Sequence, residues 1–220
     1  MVYRAFRYEH RCWLEGYSQR CYTRRVKSDR FDKDYFDRYY GARPVRTMNE
    51  VSRLASAVHD LVTWWGGSIN SMLEVGAGPG DWSNWYRATH PRVRVLSTDV
   101  SEHACDRYGH EQRDIAEWVP RQRYDLVVCM DVLQYLDDRR AAKALRNLTS
   151  ATKMCLYFDA LTSHDAKYTI EPSATDLDAH LRSGEWYRTR LARSFTQAGA
   201  GLWVRKSSGI VLHELERTHR

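Results

Sequence analysis

The chain has 220 residues, 43% of them apolar and 28% charged, and a formal net charge of +6. This length fits one α/β domain and excludes two domains with full cores, while the composition excludes a disordered or fibrous chain. The charge is uneven: residues 1–30 carry eight basic side chains (Arg4, Arg7, Arg11, Arg20, Arg24, Arg25, Lys27, Arg30) and three acidic ones (Glu9, Glu15, Asp29), so this arm is +5 and the remainder only about +1. A nearly neutral body argues against nucleic acid as a partner of the whole chain.

No apolar run approaches the ~20 residues of a membrane span, so no membrane partner is expected. The N-terminus MVYRAFRYEHR has no apolar signal region. The five cysteines (Cys12, Cys21, Cys105, Cys129, Cys155) show no CxxC spacing and read as reduced thiols. A cytoplasmic protein is expected. His10, Cys12 and Cys21 fit no zinc spacing, so no metal is expected. Without secretion, the sequon at Asn147-Leu148-Thr149 is a chance match.

In chain order, the aromatic and acidic run FDKDYFDRYYGARP (31–44) comes first. Val51, Leu54, Ala55, Val58, Leu61, Val62 and Trp65 then repeat at helical spacing until Gly66-Gly67, which predicts a helix between Pro44 and Trp65. Strands are expected at Ser71–Val75, Val93–Thr98 (ending at Asp99), weakly before Asp114, at Tyr124–Met130 and at Met154–Phe158. Helices are expected at Asp81–Thr89, from the N-cap Ser101 to Tyr108, at Asp138–Thr149 and at Trp186–Gln197. The run YDLVVCM suits a central parallel strand covered on both faces. A polar stretch spans 159–182. Gly201–Arg205 and Ile210–Leu215, joined by Ser207-Ser208-Gly209, read as an antiparallel hairpin. The fold class is α/β: a doubly wound, mostly parallel sheet with a C-terminal hairpin, binding its ligand beyond the carboxyl ends of the strands.

The sharpest motif is Met72-Leu-Glu-Val-Gly-Ala-Gly-Pro-Gly80, with glycines at 76, 78 and 80 between a strand and a helix. Glycine serves where φ is positive or where a ligand approaches closer than a Cβ permits. The dinucleotide fingerprint fails because Asp81 stands where its third glycine belongs, and the Walker pattern is missing too. Asp81 is negative where a pyrophosphate would lie. The loop therefore suits a ligand with a polar, partly cationic tail, and the Glu74 carboxylate is placed to accept from an ammonium group.

Glu74-x-Gly76-x-Gly78-x-Gly80 resembles motif I of the class I S-adenosylmethionine (SAM)-dependent methyltransferases, small-molecule branch, and the resemblance runs from about Phe31 to Arg217. It implies a seven-stranded Rossmann-like sheet, SAM as cofactor and S-adenosyl-L-homocysteine as product. It also implies cofactor contacts from Glu74, Gly76, Ala77, Gly78, Gly80, Asp99, Val100, Asp114, Ile115 and Met130. Asp99 matches the acid that accepts the ribose hydroxyls, and Asp114-Ile115 the pair that meets adenine. Tyr124–Leu136 resembles the fourth-strand motif, with Gln134 where a His or Glu is common. YFDRYY (35–40) resembles the aromatic lid of that branch, with Tyr39 closing on the cofactor. Residues 1–43 are then arm and lid, and 44–220 the methyltransferase domain.

The expected reaction is methyl transfer to an O, N or S atom of a small-molecule acceptor by in-line displacement, in which positioning supplies much of the rate. Candidate catalytic residues are Asp131 and Tyr135 after the fourth strand and His164 after the fifth, where Asp159, Ser163 and Asp165 also lie; His164 is the titratable base among them. Trp186, Tyr187 and Arg190 are placed to shape the pocket. The alternatives are an RNA or protein methyltransferase gripping its target with the arm, and a non-catalytic SAM-binding protein. A monomer or a homodimer is expected.

Overall fold

In the computed structural model, which describes residues 30–41, 44, 46–172 and 174–212, the apolar run Tyr124–Met130 (β4) is the middle strand of a seven-stranded sheet. The other strands are β1 (Ser71–Val75), β2 (Arg94–Asp99), β3 (Glu111–Gln112), β5 (Thr152–Asp159), β6 (Phe195–Gly199) and β7 (Leu202–Arg205), in the order β3-β2-β1-β4-β5-β7-β6. The first five pair in parallel; β7 runs antiparallel to both β5 and β6. This is the doubly wound sheet read from the sequence. The order reverses between β1 and β4, so a crevice opens beyond their carboxyl ends.

Side chains on a strand alternate between faces, and here both faces are buried. Leu73, Val75, Val127 and Cys129 point to one side, where Ala141, Ala144, Leu145 and Leu148 of α5 (Asp138–Ala151) and Tyr187 and Leu191 of α7 (Gly184–Leu191) cover them. Met72, Leu126 and Val128 point to the other, under Val51, Ala55, Val58 and Val62 of α2 (Met48–Trp64) and Trp82 and Tyr86 of α3 (Asp81–Thr89). Two-sided burial is why β1 and β4 read as mostly apolar runs without polar alternation, Glu74 and Asp125 being buried with the rest. Helix starts follow local chemistry: Thr47 and Glu50 form a capping box for α2, Ser101 caps α4 (Glu102–Tyr108), and Asp137 caps α5.

Three segments differ from the sequence reading. The hairpin is β6–β7, with Ala200 and Gly201 in the left-handed region between the strands; Ile210–Leu212 is not a strand. The last helix accordingly ends at Leu191, not Gln197. The polar stretch 159–182 contains a short helix, α6 (Ser163–Tyr168), capped by Thr162 and Asp165. The basic arm before Arg30, with His10, Cys12 and Cys21, and the end of the chain from residue 213 lie outside the described residues. The aromatic run forms α1 (Lys33–Tyr40), capped by Asp32; its Phe36 is buried beside Ala104 of α4.

Candidate functional site

The glycine motif becomes the turn from β1 into α3. Gly76 has φ +65°, and a Cβ there would lie 2.2 Å from Val132 Cγ2, so only glycine fits without moving the loop after β4. Gly80 also has positive φ and begins α3; a Cβ on it would meet His110 Cε1 at 3.0 Å. His110 buttresses the turn from beneath. Its Nε2 lies 3.0 Å from the Gly78 carbonyl and its Nδ1 2.8 Å from Ser97 Oγ. A carbonyl only accepts, so Nε2 carries the proton and Nδ1 accepts from the Ser97 hydroxyl. Burial, with Arg87 adding to it, holds the imidazole below its ordinary value and keeps this neutral form.

Asp99 ends β2 and is buried. Its Oδ2 accepts from Gly78 N at 2.9 Å and its Oδ1 from Ser101 N at 2.8 Å. One carboxylate thus ties the glycine turn to the strand beside it, while each oxygen retains a lone pair for a ligand. Asp114 follows β3. Its Oδ1 accepts from Ala116 N at 2.9 Å, and its Oδ2 pairs with the buried guanidinium of Arg140 on α5. That arginine escaped the sequence reading.

Gly76, Gly78, Asp99 and Asp114 line one cleft of about 680 Å³, the open solvent at its mouth included. Its wall brings together Gly76, Gly78, Asp99, Val100, Asp114, Ile115, Met130, Asp131 and Tyr135 from the sequence candidates. Phe31, Tyr35, Phe36 and Tyr40 roof it. The roof is held by ring contacts, Phe31 on Tyr35 at 5.0 Å and on Tyr135 at 5.1 Å, and by a 2.9 Å hydrogen bond between the hydroxyls of Tyr35 and Tyr135. Arg30 stacks over the Tyr135 ring at 4.9 Å and pairs with Asp176 at 2.8 Å, so the start of the described chain crosses to the loop before α7.

Several sequence candidates stand outside that lining. Tyr39 packs on Tyr35 at 4.7 Å, and Tyr40, one position on, faces Gly78 instead. Ala77 and Gly80 shape the turn. His164 lies exposed on α6 against Tyr168, away from the cleft, which removes the expected histidine base. Trp186, Tyr187 and Arg190 serve packing: Arg190 stacks on Trp186 at 3.7 Å, and Tyr187 is in the core.

Glu74 stands outside the lining too. Its carboxylate turns into the body, accepting from Ser83 N at 3.0 Å and bonding Ser83 Oγ, so it anchors α3 to β1 rather than facing a ligand. Burial pushes its carboxyl from the ordinary 4.5 up to about 7. A raised carboxyl favours the protonated fold: the associated stability is complete below pH 4.5 and is lost as pH rises through about 7. Glu74→Gln should therefore leave stability unchanged near pH 4 and raise it by on the order of 2 kcal/mol near pH 8. Urea melts of both proteins at the two pH values check this; parallel pH profiles would refute it.

Asp131 (φ +55°), which lines the cleft, follows β4, and Asp159 ends the neighbouring β5. Arg46, between α1 and α2, spans them: Nη1 bonds Asp131, and Nη2 reaches Asp159 Oδ2 at 3.0 Å. Burial and the neighbouring Asp131 push the Asp159 carboxyl up, against the pull of Arg46. Among the described residues no cluster of metal-ligating side chains occurs, and no helix is long and apolar enough to cross a membrane.

Residues 73–154 match the family model described as a methyltransferase domain. Among solved structures, the chain resembles the magnesium protoporphyrin IX methyltransferase (ChlM) of Synechocystis PCC 6803 with bound SAM, at 20% identity and TM-score 0.54 over 81% of this chain and 95% of that one. It resembles DesVI of Streptomyces venezuelae at 14% identity and TM-score 0.51, over 70% and 90% of the chains. It also resembles the N-methyltransferase NodS of Bradyrhizobium japonicum WM9 with S-adenosyl-L-homocysteine, at 18% and 0.50, over 72% and 88%. Likeness at these identities shows a shared fold. No curated protein sequence matches.

Proposed function

We propose that this chain, with its methyltransferase domain on a Rossmann-like methyltransferase fold, transfers the methyl group of SAM to an O, N or S atom of a small-molecule metabolite. The observation that carries the reading is Asp99, which closes β2, holds the glycine turn through Gly78 N and still faces the cleft. The residues present fit the cofactor: Gly76 and Gly78 line the cleft with bare backbone, Asp99 offers lone pairs for two ribose hydroxyls, and Ile115 and Val100 offer an apolar slot beside Asp114 for adenine. When bound, SAM supplies a methyl group activated on a sulfonium.

The chain's own residues would position and exclude water. Gly76 and Gly78 present backbone to the amino-acid tail on the turn that Ala77 and Gly80 shape, Met130 contributes to the wall, and Tyr35 and Tyr40 close the roof. A dry, aligned pocket is what an in-line displacement needs. Tyr135 serves as a latch: burial pushes its phenol above the ordinary value, which disfavours a phenolate base. Asp131 is the charged group nearest the acceptor end. ChlM, whose structure carries SAM, acts by its name on magnesium protoporphyrin IX, which supports a small-molecule acceptor here. Residues 1–43 act as arm and lid and 44–220 as the catalytic domain of a cytoplasmic enzyme with a role in biosynthesis, working as monomer or homodimer.

The test is label transfer. Purified protein incubated with methyl-tritiated SAM and a fractionated cell extract should place label in the low-molecular-mass fraction. Label confined to RNA or protein would overturn the small-molecule reading.

A further inference from the structure

The turn after β3, residues 114–117, carries Asp114 and Ile115 into the wall of the cleft, and α5 holds that turn at three points. Arg140 pairs with Asp114, Lys143 pairs with Glu117, and Asn147 Nδ2 donates to the Ile115 carbonyl at 2.7 Å. These positions follow at i, i+3 and i+7, one side of a helix. The middle pair is exposed at both partners and contributes little. The outer two are buried, Arg140 and Asn147 being 8% exposed each. Asn147 opens the sequon read as a chance match, and its amide is committed inside the protein.

Arg140 is a costly choice for its position. Its Nε is buried with no hydrogen-bond partner among the described residues, and a buried donor left unmet weakens a fold. Its neighbours on α5 bury as apolar side chains, Ala141, Ala144, Leu145 and Leu148, and a buried ion pair often gains no more stability than apolar side chains packed in its place. Arg140 is outside the cleft lining and reaches it through Asp114. That carboxylate is thereby held at both oxygens, Oδ1 by Ala116 N at 2.9 Å and Oδ2 by Arg140 Nη2. Bound at one oxygen, a carboxylate can turn. Bound at both, it cannot, and the lone pair left on each oxygen points in a fixed direction.

Resting on the methyltransferase reading, we propose that Arg140 is a positioning residue for cofactor recognition: by locking Asp114 it makes the adenine end of the cleft select a 6-aminopurine over a 6-oxopurine. A 6-amino group donates to the locked carboxylate, whereas a 6-oxo group sets a second acceptor against it. Hypoxanthine still carries an N1–H, which a carboxylate free to turn would accept instead. The choice therefore comes from the lock and not from the negative charge alone. Asn147 has a different part. It fixes the Ile115 backbone, and so the apolar side of the slot, which either purine meets alike.

The test measures the full chain by titration calorimetry against S-adenosyl-L-homocysteine and its deaminated counterpart, S-inosyl-L-homocysteine. The unmodified chain should prefer the adenine form by on the order of tenfold or more, the worth of one hydrogen bond to a charged group. Arg140→Met, which fills similar space without charge, should lower the preference to about threefold or less, and Arg140→Lys should keep part of it. Asp114→Ala should lose the preference as well, and adding Arg140→Met to it should change nothing further, because the effect runs through that carboxylate. Asn147→Ala should weaken both ligands by the same factor, as any merely structural role would. The proposal is overturned by an unmodified chain without preference, by an undiminished preference in Arg140→Met, by a further loss when that change is added to Asp114→Ala, or by a loss in Asn147→Ala as large as in Arg140→Met. Preference retained in Asp114→Ala would remove adenine from this carboxylate and the proposal with it. Failure of the unmodified chain to bind S-adenosyl-L-homocysteine would instead overturn the methyltransferase reading on which it rests.

Discussion

Gly76→Ala should abolish cofactor binding and visibly destabilise the fold. Two separate costs meet at this position. At φ +65° a residue with a Cβ pays for the left-handed conformation, about 1–2 kcal/mol. The new methyl would also lie 2.2 Å from Val132 Cγ2, an overlap that has to push the loop after β4 outward at about 1–3 kcal/mol. Together they amount to about 2–5 kcal/mol, which for a chain of this size lowers Tm by roughly 4–20 °C. The loop pushed outward carries Asp131, Val132 and Tyr135, all of which line the cleft. Cofactor binding is therefore lost by distortion even where the chain still folds. Scanning calorimetry with and without SAM separates the two effects: the variant should melt lower and show no ligand-induced rise in Tm. The double variant Gly76→Ala/Val132→Ala relieves the overlap but leaves the backbone strain, so it should recover part of the Tm. A single variant that melts like the parent and binds SAM normally would show that the turn has no need of glycine.

What the sequence reveals about this site depends on how local the determinant is. Gly76, Gly78 and Asp99 were legible because glycines at a strand–helix joint and an acid at the next strand end form a pattern in the order of the chain. The buried strands were legible because Ser71–Val75 and Tyr124–Met130 are covered on both faces and keep no polar alternation. The β6–β7 hairpin was misplaced because its strands are short and β6 ends in exposed residues. The turn signal at Ala198-Gly199-Ala200-Gly201 was present, yet the Ser207-Ser208-Gly209 turn competed with it. Tyr39 and Tyr40 could not be told apart without the phase of α1, which is fixed by Phe36 burying against α4. Arg46 and Arg140 carried no signal. Each is one arginine among many, and its meaning comes from carboxylates 85 and 26 positions away. Glu74 lies where the motif puts it, but its bonds to Ser83 turn it inward, and only the closing of α3 onto β1 reveals that.

Asp99→Ala should weaken SAM binding by at least about a hundredfold while leaving the fold intact enough to measure. In the free protein this carboxylate holds two backbone donors, Gly78 N and Ser101 N, at 2.9 and 2.8 Å. The ribose hydroxyls would add two bonds to a charged acceptor at about 1.5–3 kcal/mol each, and each 1.4 kcal/mol is about tenfold in Kd. Losing the side chain removes both and also frees the glycine turn from β2, so the backbone that faces the ligand is no longer fixed. Asp99→Asn distinguishes these contributions. The amide still presents one oxygen to one backbone donor, but its NH2 opposes the other. It should bind SAM more weakly than the parent and more tightly than the alanine variant, with a Tm between the two. Adenosine and homocysteine separate the ligand's halves: the loss in Asp99→Ala should appear with adenosine and be small with homocysteine, because the hydroxyls belong to the ribose. Titration calorimetry showing equal SAM affinity in parent and Asp99→Ala would remove Asp99 from the ribose site, and with it the observation that carries the cofactor assignment.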